Sequence, residues 1–119
     1  MQKLTKAEEQ LMQVLWTLEK GLLKQVMDAY PEPKPKQSTV STVLRILKEK
    51  GFIHHHTYGK THEYYPLISK DEYAKYYFGN FLSNYFDGSF KQLLSFFHKE
   101  GEINMQELDE ILNDDTEQE

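Results

Sequence analysis

Hydroxyl, amide and basic side chains alternate with apolar ones between residues 36 and 45. Val40, Val43 and Leu44 recur at helical spacing and predict a buried helix face, which turns the polar side chains outward. Hydroxyl groups and a guanidinium on one exposed face can bond phosphates and base edges of DNA. The candidate DNA-binding residues in this segment are Lys36, Gln37, Ser38, Thr39, Ser41, Thr42 and Arg45. The alternative is a solvated helix face that happens to be rich in serine and threonine.

Three adjacent histidines, His54 to His56, form a second candidate set, followed by Tyr58 and Lys60. The surrounding β-branched and aromatic residues predict a two-stranded hairpin. Strand alternation puts His54 and His56 on one face and His55 on the other, so His54, His56, Tyr58 and Lys60 are candidates for contacting DNA from a hairpin wing. A merely polar strand is one alternative. Metal binding is another, but no thiol or carboxylate lies close enough in sequence to complete a site, so we predict none.

Three helical patterns precede the hairpin. Thr5 and Glu8 have the spacing of a capping box, which predicts that the first helix begins there, and Gly21 is expected to stop it. A second, shorter pattern covers residues 22–30 and must end at the prolines that follow. Three helices and a hairpin predict a mainly α, winged helix-turn-helix domain over residues 1–68.

Residues 69–119 carry three further helical patterns, at 69–86, 89–98 and 104–112, and ten of the sixteen aromatic residues lie between 69 and 98. Burying one such ring is worth about 2 to 3 kcal/mol, and a short appendage cannot bury them alone. We therefore predict a helical dimerisation domain, in which a second copy covers the rings; packing back on the first domain is the alternative. The candidate interface residues are Tyr73, Tyr77, Phe78, Phe81, Tyr85, Phe90, Leu93, Leu94, Phe97 and Leu108.

The charge distribution favours a DNA partner more than the net charge of -5 does. Residues 34–62 contain six basic residues and one acidic residue, whereas the chain from Glu100 onward contains nine acidic residues and no lysine or arginine. The acidic excess is therefore a property of the C-terminal region, where it can keep that region off the DNA.

Several classes of protein are disfavoured. The absence of cysteine excludes disulfides and thiolate metal sites, and no apolar run is long enough for a membrane segment, so we expect a cytoplasmic protein. No Gly-rich phosphate loop, nucleophile elbow or HExxH motif is present, so we predict no enzyme, no catalytic residues and no cofactor.

The runs STVSTVLRILKEKGFI, EYYPLISKDEY and YFDGSFKQLLSFF together resemble the BlaI/MecI/CopY family of transcriptional repressors. The similarity includes Trp16 in the first helix, the pattern from Thr39 to Thr42, the exit from Leu47 to Phe52, and Tyr64 with Tyr65. It implies a homodimer that binds a palindromic operator in double-stranded DNA. It also implies release when a membrane sensor protease triggers cleavage of the repressor.

Three positions differ from the family pattern. Ile46 stands where the family usually has an arginine, and Arg45 precedes it. Penicillinase repressors are cut at an Asn-Phe bond, and the matching bond is Ser95-Phe96. The copper-responsive branch has C-terminal cysteines, which this chain lacks. A winged-helix regulator with another inducing signal, or a winged-helix module that binds proteins, are the alternatives.

Overall fold

The computed structural model describes residues 1–102, 104–107 and 109–110, and its contacts divide the chain into two compact units, 1–75 and 76–119. The first unit contains α1 (Lys6–Leu18), β1 (Gly21–Leu22), α2 (Leu23–Ala29), α3 (Gln37–Glu49), β2 (Ile53–Tyr58) and β3 (Thr61–Pro66). Two helices follow, α4 (Lys70–Tyr85) and α5 (Phe90–Lys99). The boundary between these units falls inside α4, whereas the sequence pattern predicts a domain boundary between residues 68 and 69, and that placement stays a prediction.

The capping box at the start of α1 is formed. The Thr5 backbone N–H donates to Glu8 Oε1 at 2.9 Å, and the Glu8 backbone N–H donates to Thr5 Oγ1 at 3.2 Å. The helix ends at Leu18, before Gly21, because Glu19 adopts a φ of 69°. Gly21 instead pairs with β3 in a strand of two residues, where an added Cβ would lie 3.2 Å from Leu18 Cδ1. Gly21 therefore allows a close approach of β1 to α1.

The core of the first unit is formed by the apolar faces of α1, α2 and α3 and by the start of β2. Phe52, Leu11, Met12, Leu15, Leu44, Leu47, Ile53, Val26 and Val40 are its most fully buried side chains. The predicted apolar face of the third helix is confirmed. The prolines after residue 30 also end α2 as expected, at Ala29.

Tyr73 belongs to this core, which corrects its assignment to the dimer interface. Its ring is 5 % exposed and lies 6.1 Å from the ring of Trp16 and 6.0 Å from that of Phe52. The Leu4 backbone N–H donates to its hydroxyl at 3.1 Å. A side chain enclosed on all these sides has no surface left for a second copy.

The three strands form an antiparallel sheet in the order β1-β3-β2. The predicted hairpin is present, with Tyr58 opposite Thr61 and a two-residue turn whose Gly59 has a φ of 62°. Glycine adopts this left-handed conformation without steric cost, which is why it suits such turns. β1 was not predicted, because two residues are too few to show strand alternation.

The second unit begins within α4 and continues through a turn in which Asp87 and Gly88 have positive φ. Ser89 then caps α5, since its hydroxyl accepts from the Gln92 backbone N–H at 3.1 Å. The third predicted helix of this region is helical at residues 105–107 and 109–110, while residues 108, 111 and 112 lie outside the described residues.

Candidate nucleic-acid interface

The polar side chains of α3 form a single exposed face. Four apolar residues, Val40, Val43, Leu44 and Leu47, are at most 8 % exposed and hold the opposite face in the core. Every candidate of this segment is exposed, namely Lys36, Gln37, Ser38, Thr39, Ser41, Thr42 and Arg45. Short hydroxyl side chains on such a face let a helix approach the floor of a groove.

Arg45 pairs with Glu49, an acid that the sequence pattern did not assign to the site. Its Nη1 lies 3.2 Å from Glu49 Oε1, and both side chains are more than 60 % exposed. An exposed pair of this kind contributes less than about 1 kcal/mol, so a stronger partner can displace Glu49. The i, i+4 spacing of the two charges was the signal that could have revealed the pair.

Two lysines of the basic segment serve the fold. Lys34 Nζ donates to the carbonyls of Met27, Asp28 and Tyr30 at 3.2, 2.7 and 2.9 Å, so a cation closes the C-terminal end of α2. Lys50 Nζ lies 2.7 Å from Glu8 Oε1 and joins the end of α3 to α1. Neither ammonium group is therefore free to neutralise a phosphate.

Three other lysines of the segment remain on the surface: Lys36, Lys48 and Lys60. None of them forms a salt bridge with a residue that the structure describes. Lys36 precedes the N-terminus of α3, Lys48 lies in its last turn, and Lys60 lies in the hairpin turn. Lys36 and Lys48 therefore place one positive charge near each end of α3, and Lys60 places one in the hairpin turn.

The hairpin has two distinct faces. The outer face carries His54 and His56, whose rings stack on Tyr65 at centroid distances of 6.3 and 4.7 Å. Both histidines are exposed, as are Lys60 and Tyr58, whose side chain is 59 % exposed beside the turn. The inner face continues from the buried Ile53.

On the inner face the ring centroids of His55 and His62 lie 4.1 Å apart, and the rings of His55 and Tyr64 form an edge-to-face contact at 5.6 Å. This face is the one beside α3, because α3 packs against β2 and the charge of Lys48 acts on His55. Alternation in the sequence separated His55 from its neighbours but could not tell which face lies against the helix. Lys48, His55 and His62 were consequently missing from the predicted site.

The surroundings of His55 disfavour protonation of its ring. Burial of the ring, followed by the positive charge of Lys48 and by the neighbouring histidines, lowers its pKa. Its Nδ1 is buried and has no hydrogen-bond partner among the described residues. Protonating this nitrogen would bury an N–H without an acceptor, which adds to the cost of charging the ring.

In the second unit, the rings of α4, α5 and the turn between them form a continuous aromatic network. Phe81 is central to it, with ring centroids 6.4 Å from Phe78, 5.3 Å from Tyr85 and 5.8 Å from Phe86. Leu93 and Leu94 are buried within the unit, and Phe90 and Phe97 are half-buried. Leu108 lies outside the described residues.

Four aromatic side chains of this unit remain largely exposed in the single chain. Tyr77, Phe78, Tyr85 and Phe96 are 46, 39, 72 and 47 % exposed. We call these four residues the aromatic surface. Ser95 is also exposed, and the Ser95-Phe96 bond lies in the middle of α5.

Within the described ranges, no three or more His, Asp or Glu side chains are placed to hold a metal ion. In the same part of the chain, no helix combines the length and apolar character needed to span a bilayer.

Comparison with known proteins places this arrangement in a family. Residues 4–114 match the penicillinase repressor family. The methicillin resistance regulatory protein MecI of Staphylococcus aureus (strain N315) is 22% identical over 112 residues, which cover 93% of this chain and 91% of the relative. The penicillinase repressor of Bacillus licheniformis is 23% identical over 110 residues, which cover 92% and 86% of the two chains.

The first unit also resembles a solved structure, the solution structure of the DNA-binding domain of the repressor BlaI. The TM-score is 0.53 at 27% sequence identity, and the match covers 61% of this chain and 94% of that chain. The predicted winged-helix fold and the family resemblance are both confirmed. With 111 of its 119 residues matched, the chain belongs to the penicillinase repressor family, a family of repressors and not of enzymes.

Proposed function

We propose that this protein is a transcriptional repressor that binds double-stranded operator DNA as a homodimer. The observation that carries the proposal is the exposed polar face of α3, formed above a buried apolar face in a unit similar to the DNA-binding domain of BlaI. In this proposal α3 enters the major groove, where its hydroxyl groups bond phosphates or base edges. Lys36 and Gln37 lie at the positive N-terminal end of the helix and bind a backbone phosphate.

The pair between Arg45 and Glu49 has a specific role in this proposal. A guanidinium can make two parallel hydrogen bonds to a guanine edge or to a phosphate, and these bonds are stronger than an exposed ion pair. Arg45 therefore leaves Glu49 when DNA binds. Glu49 then faces the DNA as an unpaired negative charge, so it limits affinity and favours sites that offer Arg45 a good partner.

The hairpin acts as the wing. Tyr58 and Lys60 lie at its exposed end, where a tyrosine hydroxyl and an ammonium group can contact the DNA backbone beside the groove that α3 occupies. His54 and His56 are polar and exposed, but they stack on Tyr65 on the outer face. We therefore assign them to the edge of the interface.

The homodimer is supported by the aromatic surface. Four large exposed rings in one small unit would be costly to leave in water, and a second copy can cover them. A twofold dimer presents two α3 helices to the same side of the duplex, about 34 Å or a multiple apart. Such a dimer matches a palindromic operator.

The proposal predicts opposite effects for two neighbouring substitutions. Arg45→Ala is expected to weaken binding to a duplex from the promoter of this chain's own gene by about 1 to 3 kcal/mol, because it removes the bidentate contact. Glu49→Gln is expected to strengthen it by about two- to fivefold, since one negative charge near the phosphates disappears. Fluorescence anisotropy with a labelled duplex measures both.

Lys75→Ala provides the control, because Lys75 is exposed in α4 and not in α3 or the wing. Its affinity is expected to equal that of the unaltered protein. Unchanged affinity in Arg45→Ala would remove Arg45 from the interface. If the unaltered protein binds no duplex at all, the DNA-binding role itself is wrong, and the alternative of a protein-interaction module takes its place.

We also propose that a membrane sensor protease, acting in a β-lactam-type response, releases the repressor from DNA by triggering cleavage at Ser95-Phe96. Phe96 is exposed, and its ring touches Phe86 and Phe97 at 5.7 and 5.5 Å. Proteases bind extended backbone, whereas this bond lies within α5. Cleavage therefore requires local opening of α5. It separates Phe96 and the rest of the C-terminal half of α5 from the other three residues of the aromatic surface.

This step predicts a fragment that ends at Ser95 in cells exposed to a β-lactam. Mass spectrometry of the recovered repressor is expected to find it, while unexposed cells contain the intact chain. The variant Phe96→Ala removes the ring beside the cut bond and is expected to stay intact. Recovery of intact chain alone from exposed cells, while the repressed gene is switched on, would show that release occurs by another route.

A further inference from the structure

A strip of positive and titratable side chains lies between α3 and the wing. It consists of Lys48 in the last turn of α3 and of His55 and His62 on the inner face of the hairpin, and we call it the imidazole strip. The two rings are 4.1 Å apart, and Thr57 Oγ1 lies 3.2 Å from His62 Nδ1. The strip thus joins both elements that the proposed function places on DNA.

The imidazole strip continues the exposed face of α3. Ser41, Arg45 and Lys48 follow each other at i, i+4 and i+7, so they form one line along the helix. The helix packs against β2, and the charge of Lys48 acts on His55 in that strand. A DNA strand that passes Ser41 and Arg45 therefore reaches the imidazole strip next.

In the free protein, the surroundings of His55 make a positive charge on its ring unfavourable. The charged or titratable groups that act on His55 are Lys48 from α3, His62 from β3, and His54 and His56 from its own strand, and none of them is a carboxylate. Tyr64 adds only its neutral ring, and Glu63 pairs with His56 on the outer face. A proton added to His55 therefore meets the positive charge of Lys48 without a compensating carboxylate among these groups.

We propose that the imidazole strip is a phosphate-binding site that takes up a proton when DNA binds. The affinity of the repressor for DNA then rises as the pH falls. A phosphate between α3 and the wing supplies the negative charge that the site lacks. It accepts hydrogen bonds from Lys48 and from the imidazole N–H groups that face solvent. This inference rests on the proposed DNA binding and adds a regulated contact to it.

The direction of the pH dependence follows from the linkage between proton binding and DNA binding. A phosphate favours the protonated form, so the complex holds more protons than the free protein at a pH near the ordinary range of histidine. A state that holds more protons gains stability as the pH falls. The affinity for DNA is therefore expected to rise about three- to tenfold between about pH 8 and about pH 6.

The test uses the full chain and a fluorescent duplex of random sequence, because phosphate contacts do not depend on base sequence. Affinity is measured at both pH values for the unaltered protein and for His55→Gln and His62→Gln. His98→Gln is the matched control, because His98 lies in α5 of the second unit and outside the proposed DNA-binding face. Calorimetry in two buffers of different ionisation enthalpy counts the protons taken up, with about 0.3 to 1 expected per subunit.

We expect the pH dependence and the proton uptake to be lost in His62→Gln and His55→Gln and kept in His98→Gln. Because His62 is exposed, its substitution tests the site even if His55→Gln unfolds the hairpin. Equal pH dependence in all four proteins, or no proton uptake by the unaltered one, would overturn the inference. Absence of duplex binding at either pH would instead contradict the proposed function.

Discussion

Replacing Lys50 by methionine is expected to lower the free energy of unfolding by about 2 to 3 kcal/mol. The Glu8 side chain is 6 % exposed, and Lys50 Nζ contacts both of its carboxylate oxygens, at 2.7 and 3.0 Å. Methionine keeps most of the packing of the lysine stem but leaves a buried carboxylate without its cation. Urea unfolding followed by circular dichroism measures the loss.

The free energy of unfolding, measured as a function of pH in the acidic range, gives a second test of the pair between Glu8 and Lys50. Burial by itself raises the pKa of Glu8, but hydrogen bonds from Lys50 and from the Thr5 backbone outweigh it, so the pKa lies below its ordinary value of 4.5. The ion pair therefore stabilises the fold fully at pH values above 4.5, the ordinary pKa of the glutamate. This stabilisation is lost as the pH falls through the lower pKa that Glu8 has in the folded protein.

Glu8→Gln provides the matched control, since glutamine can still close the capping box while carrying no charge. Lys50→Met made in the Glu8→Gln background is expected to cost much less than Lys50→Met alone. Equal costs in the two backgrounds would show that the lysine acts through packing and not through its charge.

Replacing Phe78 or Tyr85 by aspartate is expected to convert the proposed homodimer into monomers and to weaken binding to the proposed palindromic operator about a hundredfold or more. Each change places a carboxylate in the aromatic surface, where a second copy would have to bury it without a partner. A monomer holds a palindrome through one half-site at a time and loses the effective concentration that linkage provides. Sedimentation gives the mass, and anisotropy gives the affinity.

Leu67→Asp is the matched control, because Leu67 is 50 % exposed but lies in the first unit. A duplex with a single half-site separates loss of dimerisation from loss of folding, since a folded monomer binds it as the unaltered protein does. A dimer that persists in both Phe78→Asp and Tyr85→Asp would move the interface away from the aromatic surface.

Most of the fold could be predicted from the sequence, because its signals are local. The capping pattern at Thr5 and Glu8 locates the start of α1, and apolar spacing identifies the buried face of α3. Strand alternation and the turn at Gly59 identify the hairpin. β1 could not be predicted in this way, because its two residues become a strand only by pairing with β3.

The candidate site was predicted only in part. The exposed face of α3 follows from periodicity, because one face of a helix determines the other. The roles of the basic residues do not follow from periodicity, because Lys34 caps α2 and Lys50 pairs with Glu8. A count of charges treats every lysine alike, and only its neighbours in space decide whether a lysine can bind a phosphate.

The side chains of α3 and of the hairpin show which features are local and which depend on tertiary packing. The sequence by itself determined that α3 presents its hydroxyls and Arg45 outward, because helical periodicity and burial of apolar surface act within one segment. The tertiary structure decided that Tyr73 lies in the core and that the hairpin face with His55 and His62 lies beside α3. Both depend on how separate elements pack against each other, which no local pattern in the sequence records.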